Sequence, residues 1–215
     1  MRPYYQESDL TLYCGDAREI IPTLPMADLV LTDPPYGHGV KWKGGTWAND
    51  PMYSVDALRW DAEPVASDLL ELAVAHGKYA IVWGGNYFAL PPSRCWLAWD
   101  KFEKMDTLAD FELAWTNFDR PSKSYTERRN PNGKRYHATQ KPVGLFAWCA
   151  SFMPGLILDP FAGSGTSLVA AKMLGRPAIA CEISETFCEI ICNRLRQEIL
   201  PLCSPDPQPE QMNLI

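Results

Sequence analysis

Four consecutive residues, Asp33-Pro34-Pro35-Tyr36, follow the apolar run Leu29-Val30-Leu31-Thr32 and put two acceptors and an aromatic ring in one place. The two prolines remove two backbone donors and stiffen the turn, so a strand here ends abruptly. The Asp33 carboxylate, the Pro34 carbonyl and the Tyr36 ring then crowd a small volume at a strand's carboxyl end. Open α/β sheets bind their ligands there. A rigid turn carrying a surface carboxylate is the plainer reading of the same four residues.

A second stretch, Leu158-Asp159-Pro160-Phe161-Ala162-Gly163-Ser164-Gly165-Thr166, runs from a strand through a Gly-rich turn into a helix. Gly163 and Gly165 permit close backbone approach to a ligand, and the helix that follows presents free N–H groups. Nineteen positions beyond Gly163 stands Glu182, at the end of the next candidate strand. That spacing suits a carboxylate accepting from two ribose hydroxyls. A dinucleotide site would need its third glycine at Leu168, and a phosphate loop would need a Gly-Lys-Ser/Thr that does not follow. A nucleoside without a pyrophosphate suits this turn better.

Positioning these groups requires a sheet, and the pattern supplies one. Short β-branched and apolar runs at Leu10–Cys14, Leu29–Thr32, Tyr79–Trp83, Trp96–Trp99, Phe111–Trp115, Leu156–Leu158 and Ala178–Cys181 alternate with helical stretches at Val65–His76, Pro142–Phe152, Ser167–Leu174 and Ser184–Leu200. This alternation predicts an α/β fold. The last helix is the clearest. Ser184 is placed to cap it, and Phe187, Ile190, Ile191, Leu195 and Ile199 share one face. At 215 residues, 47% of them hydrophobic, the chain has material for one domain with a sizeable core, which excludes global disorder. We expect that domain to span residues 1–200. The Gly- and Trp-rich stretch 37–61 is expected to be a mobile loop and the Pro-rich stretch 201–215 a disordered tail.

Seven cysteines, an odd number without a Cys-x-x-Cys pair, fit reduced thiols of a cytoplasmic protein. Cys188 and Cys192 lie one helical turn apart with Cys181 nearby, but no histidine is near in sequence, so burial rather than a metal is expected. No signal peptide or membrane span is recognisable in the sequence.

The two motifs together resemble those of S-adenosylmethionine-dependent DNA amino-methyltransferases. The Asp-Pro-Pro-Tyr motif precedes the Gly-rich one, as in the circularly permuted β group of that family. Cys14-Gly15-Asp16, Ile81-Val82-Trp83-Gly84-Gly85-Asn86-Tyr87-Phe88 and His137-Ala138-Thr139-Gln140-Lys141-Pro142 resemble further family segments in the expected order. The resemblance covers about residues 9–200 and implies a Rossmann-like methyltransferase fold: a mostly parallel seven-stranded sheet with one antiparallel strand.

It also implies roles. Asp33 and the Pro34 carbonyl would accept from the amine of a flipped base, with Pro35 stiffening the turn and Tyr36 stacking on the base. S-adenosyl-L-methionine would be held by Glu182 at the ribose and by Asp16 at the adenine. Asp159, Phe161, Gly163 and Gly165 would lie along it, with Thr139 and Lys141 at its carboxylate. Asp16 reads equally as a turn residue starting a helix over Ala17–Ile21, and Lys141 as a solvated lysine in a strand-to-helix loop. No covalent nucleophile is required, and no cysteine follows a proline as cytosine-C5 chemistry of the usual kind would need.

The formal charge of −6 argues against nucleic acid binding over the whole surface, but it averages two unlike parts. Residues 120–142 carry seven basic side chains against Glu127 alone, a local +6 that leaves −12 elsewhere. In the family, the corresponding position carries a target-recognition region, which would be 119–137 here. Lys123, Arg128, Arg129, Lys134 and Arg135, with Lys41 and Lys43 after the catalytic motif, are candidates for contacting double-stranded DNA. An aromatic of the Trp42–Trp60 stretch is a candidate for filling the space a flipped base leaves.

The expected activity is adenine-N6 methylation, with cytosine-N4 methylation as the alternative on the same scaffold. Cytosine enzymes of the family more often carry Ser where Asp33 stands. An RNA or protein amide methyltransferase and an inactive binding module are further alternatives. The resemblance places the protein in a bacterial or phage-infected cell beside a restriction–modification function; monomer and homodimer stay open.

Overall fold

The computed structural model describes residues 1–37, 63–102, 109–129, 131 and 140–197. The expectations for the loop over 38–61, the tail over 201–215, Lys41, Lys43, Lys134, Arg135 and Thr139 lie outside these residues.

Nine strands form one sheet in the order β1-β2-β9-β8-β3-β4-β6-β5-β7. Five parallel strands make its centre: β2 (Leu10–Cys14), β9 (Ala178–Glu182), β8 (Ile157–Asp159), β3 (Ala27–Thr32) and β4 (Gly77–Trp83). β6 (Phe111–Thr116) runs antiparallel to β4 and to β5 (Trp96–Lys101), β1 (Tyr5–Glu7) is antiparallel to β2, and β7 (Lys123–Glu127) lies parallel to β5 at the far edge. The sheet therefore has two strands more than the seven expected. β1 is three residues long, too short for a periodic signal. β7 has one apolar residue, too few for an alternating pattern. Its Tyr125 nevertheless stacks on Trp148 at 5.2 Å, and the Trp99 indole donates to the Glu127 carbonyl at 2.9 Å. Five residues of the expected recognition insertion are thus part of the sheet.

Both faces of the central strands are covered, which is why β3 reads as an unbroken apolar run. Leu29 and Leu31 point to a core shared with α3 (Val143–Ala150), α4 (Thr166–Met173) and α5 (Glu185–Arg196). Val30 points the other way, to a core with Leu70 of α2 (Ser67–Ala75). Beside that core, Ile20 of α1 (Ala17–Ile20) packs with Leu69 and Ala73. α5 buries Phe187, Cys188, Ile191, Cys192 and Leu195, so its two cysteines belong to its core face and Ile190 lies at the margin. Ser184 stands at the N-cap but makes no side-chain capping bond.

This topology locates the site. The chain leaves β3 towards α2 on one face and leaves β8, its neighbour, towards α4 on the other. The two connections diverge and open a crevice beyond the carboxyl ends of β3 and β8. The Thr32 hydroxyl donates to Asp159 Oδ1 at 2.7 Å across that point, tying the two strand ends together.

Gly165 begins α4 with φ +82°, and a Cβ there would lie 2.7 Å from Ile191 Cγ1. Gly165→Ala is expected to destabilise the fold by about 1–3 kcal/mol, read as a lowered urea midpoint with an unchanged slope.

Candidate active site

A cavity of about 310 Å³ opens at the crevice. Eight of the residues singled out in the sequence line it: Asp16, Asp33, Pro35, Lys141, Asp159, Phe161, Gly163 and Glu182. They come from the ends of β2, β3, β8 and β9 and from the segment before α3, so the sheet alone brings together positions up to 166 residues apart.

At one side the Gly-rich turn and β9 form a cradle. Glu182 Oε2 accepts from the Gly163 amide and Oε1 from the Ser184 amide, both at 2.8 Å. Gly163 has φ +53°, and a Cβ there would meet nothing within 4 Å, so the turn leaves open space on its outer side. Pro34, Tyr36 and Gly165, expected at the ligands, are absent from the lining; the place of Gly165 is fixed by the packing on Ile191. Arg194 of α5, which the sequence reading passed over, is buried and donates to the Ser164 carbonyl at 2.6 Å, bracing the turn from below. Asp16 lines the cavity and also accepts from the Arg18 amide at 2.8 Å as the N-cap of α1. The reading as the residue that starts a helix is the one this bond carries.

At the other side stands Asp33. Its Oδ2 accepts from Lys141 Nζ at 2.6 Å, and its Oδ1 accepts from the Tyr36 hydroxyl. The Tyr36 ring packs 5.1 Å from Tyr87 and 6.1 Å from Phe88, the aromatics that follow β4. A Cβ on Gly84 (φ +66°) would strike that ring at 2.1 Å, so only glycine leaves room for it. Lys141 was expected at a ligand carboxylate. Its ammonium instead lies among Asp33, Tyr36 and Glu112, the last at 3.1 Å. Glu112, on β6, was not foreseen; a single carboxylate inside the apolar run Phe111-Glu112-Leu113-Ala114-Trp115 was the available signal.

Burial and partners set the charges. Burial pushes Asp33 above the ordinary carboxylate range, and Lys141 and Tyr36 pull it back. Burial alone would lower Lys141, but Asp33, Glu112 and Tyr36 hold it well above the usual lysine range. Glu112 is opposed by burial yet brought down to about 2 by Lys141 and Lys101. Glu182 and Asp159 face no such cation. Burial lifts them to about 7 and about 6, against the lowering effect of their hydrogen bonds.

The basic candidates are only partly brought together. Arg128 and Arg129 follow the carboxyl end of β7, on the same sheet edge as Asp33. Arg128 lies over the exposed Phe102 ring at 5.0 Å, and Arg129 donates to the Ala109 carbonyl at 3.1 Å. Lys123 starts β7 and so lies about 13 Å away along the strand. Among the described residues no group of three or more His, Cys, Asp or Glu could hold a metal ion, and no helix is long and apolar enough to cross a membrane.

A doubly wound sheet with a Gly-rich turn and a carboxylate after its neighbouring strand defines a Rossmann-like methyltransferase fold. A DNA methylase family model, that of the N6/N4 enzymes, matches residues 82–193, and the chain belongs to this family. It is 26% identical to the Type II methyltransferase M.ScaI of Streptomyces caespitosus, over 92% of this chain and 84% of that protein. Among solved structures, the M1.HpyAVI–SAM complex matches with a TM-score of 0.59 at 21% identity, over 87% of this chain and 100% of that one. The PvuII DNA methyltransferase, described as cytosine-N4-specific, matches with a TM-score of 0.59 at 16% identity, over 93% and 90%. At these identities the structural likeness is one of fold.

The raised carboxyls have a consequence for stability. Glu182 (from 4.5 to about 7) and Asp159 (from 3.8 to about 6) bind a proton more tightly in the folded chain. Their contribution is complete below the ordinary carboxylate range and is lost as pH rises through 6 and 7. Glu112 is shifted the opposite way and acts only below that window. Without added ligand, stability is expected to fall by a few kcal/mol in all between about pH 4.5 and 8. Urea unfolding across that range checks this, and Glu182→Gln should remove the upper part of the slope.

Proposed function

We propose that the chain transfers a methyl group from S-adenosyl-L-methionine to the N6 amine of adenine in double-stranded DNA. The observation that carries this reading is the placement of Asp33, at the end of β3, in the same 310 Å³ cavity as the Gly163–Glu182 cradle. The residues present fit the methyl donor. A buried carboxylate beside a glycine turn with open space suits ribose hydroxyls and the chain beyond them. Asp16 faces the position of the adenine, while Phe161 and Asp159 lie along the cavity between the two ends. When bound, the donor supplies an electrophilic methyl group on a sulfonium.

The chain's own residues act on the nucleophile. An exocyclic amine is weakly nucleophilic because its lone pair is delocalised into the ring. Asp33 and the Pro34 carbonyl accept from its two N–H bonds and draw the nitrogen towards tetrahedral geometry. Its lone pair would form the N–C bond to the methyl group that the donor gives up while keeping the S–C electron pair, and the Asp33 carboxylate, already accepting from that nitrogen, would take the proton it sheds and pass it to solvent. Charge developing there would meet acceptors already in place. A base within a duplex cannot reach the cavity, so the target is flipped out, and the Tyr36 ring offers it a stacking face. Arg128 and Arg129, on the same sheet edge, neutralise backbone phosphates. The order of the two motifs supports the permuted β group. The family and the Type II relative support a place in restriction–modification.

Asp rather than Ser at position 33 favours adenine. The likeness to a cytosine-N4-specific enzyme keeps cytosine as the second reading. Nucleoside mass spectrometry of DNA treated with the chain and methyl-labelled donor is expected to yield N6-methyladenine; N4-methylcytosine would decide for the second reading. Asp33→Ala should lower turnover by about 100-fold or more while donor affinity stays within a few-fold; parallel loss of affinity would place the chemistry elsewhere. Replacing Arg128 and Arg129 together should reduce the salt slope of DNA binding by about one to two; an unchanged slope would remove them from the DNA footprint.

A further inference from the structure

Acceptance from the target amine explains Asp33, but it gives no part to the buried charges behind it. An ammonium has three donors and no acceptor. At Lys141 three acceptors are at hand inside the protein: Asp33 Oδ2 at 2.6 Å, the Tyr36 hydroxyl at 3.1 Å and Glu112 Oε2 at 3.1 Å. The side chain is 4% exposed, with the Tyr36 and Trp83 rings 5.4 and 5.9 Å from the nitrogen. These three partners use up its donors, so none is left for a ligand's carboxylate. Glu112 is itself anchored. Its Oε1 meets Lys101 Nζ at 2.5 Å, and Lys101 is 7% exposed beside the Trp99 ring. The chain of charges Lys101–Glu112–Lys141–Asp33 alternates in sign and sums to zero, running from β5 and β6 to the end of β3.

We propose that Glu112 is a positioning residue for the methyl transfer: it steers the Lys141 ammonium onto Asp33 and so fixes the carboxylate that receives the target amine. This rests on the methyltransferase reading of the cavity. A carboxylate offers about four acceptor positions. Lys141 and Tyr36 take one on each oxygen, leaving the others for the incoming N–H. Without Glu112 the ammonium has two partners instead of three and is no longer held in place against Asp33, so the carboxylate loses the orientation that receives the amine. Lys141 therefore acts through Asp33 and not on the methyl donor.

The test uses the full chain, with donor affinity from calorimetry, steady-state kcat and KM on DNA, and a thermal melt to confirm folding. Glu112→Gln is expected to lower kcat by about 10- to 100-fold with donor Kd and DNA KM within about threefold, and Glu112→Asp to restore part of the rate. Glu112→Gln/Lys101→Met removes one charge of each sign, which protects the fold, and its kcat should remain low. A kcat within about threefold of the unaltered chain in either folded variant would overturn the proposal. So would a donor affinity that weakens in step with kcat, since that would put Lys141 on the donor. If the unaltered chain moves no methyl group to DNA, the methyltransferase reading fails and takes this inference with it.

Discussion

The ion pair between Lys141 and Asp33 resolves a conflict built into the site. Asp33 stands at the end of a sheet buried on both faces, where low dielectric favours the protonated form, whereas the role proposed for it calls for the ionised one. Pairing with a buried cation keeps the charge, but a buried pair is costly unless every remaining donor and acceptor is satisfied. The surroundings satisfy the donors of the ammonium and one acceptor position on each Asp33 oxygen. Tyr36 bonds the second Asp33 oxygen, Glu112 the third face of the ammonium, and Lys101 the far side of Glu112. Four elements contribute, and each has to keep its register for the pair to exist.

This requirement gives the reversed strand a purpose. β6 runs against β4, with Trp83 opposite Ala114, so the start of β6 lies at the sheet edge where β3 and β4 end. A parallel strand in its place would bring its last residues there and carry its first ones to the far edge. The reversal delivers Glu112 to Lys141 from a strand that is otherwise core. The same edge treats its carboxylates in two ways. Glu112 between two ammoniums is held at about 2, whereas Glu182, with only backbone amides for partners, rises to about 7. The two carboxylates thus differ through their partners, two ammoniums against backbone amides alone.

Much of this was legible in the sequence, for reasons tied to range. The seven anticipated strands and four helices are present within a few residues of their expected limits, because each rests on local periodicity. The two motifs lie where their prolines and glycines put them, at strand ends. What escaped was long-range. Lys141 and Asp33 are 108 residues apart, and nothing in the spacing of His137-Ala138-Thr139-Gln140-Lys141-Pro142 says that the ammonium turns to the catalytic motif. Glu112 is one carboxylate in an apolar run, and only its pairing with β5 and the approach of Lys141 give it neighbours. Gly165 was read by motif as a ligand contact, whereas the packing of Ile191 requires it. β7 was hidden because Tyr125 is the one apolar residue in Lys123–Glu127, and a single ring gives no alternating apolar pattern.

The Thr32–Asp159 hydrogen bond shows why the order of the motifs along the chain matters little to the site. β3 and β8 are adjacent and parallel, so the turn after each opens into the same crevice whichever comes first in sequence. What the crevice requires is that the two connections leave on opposite faces, and α2 and α4 satisfy it. Chain order then decides only which segments join the strands. The constraint on the chemistry is therefore a property of strand adjacency. Lys141 shows the same principle, since it stands just before α3 and reaches Asp33 because α3 packs over β3.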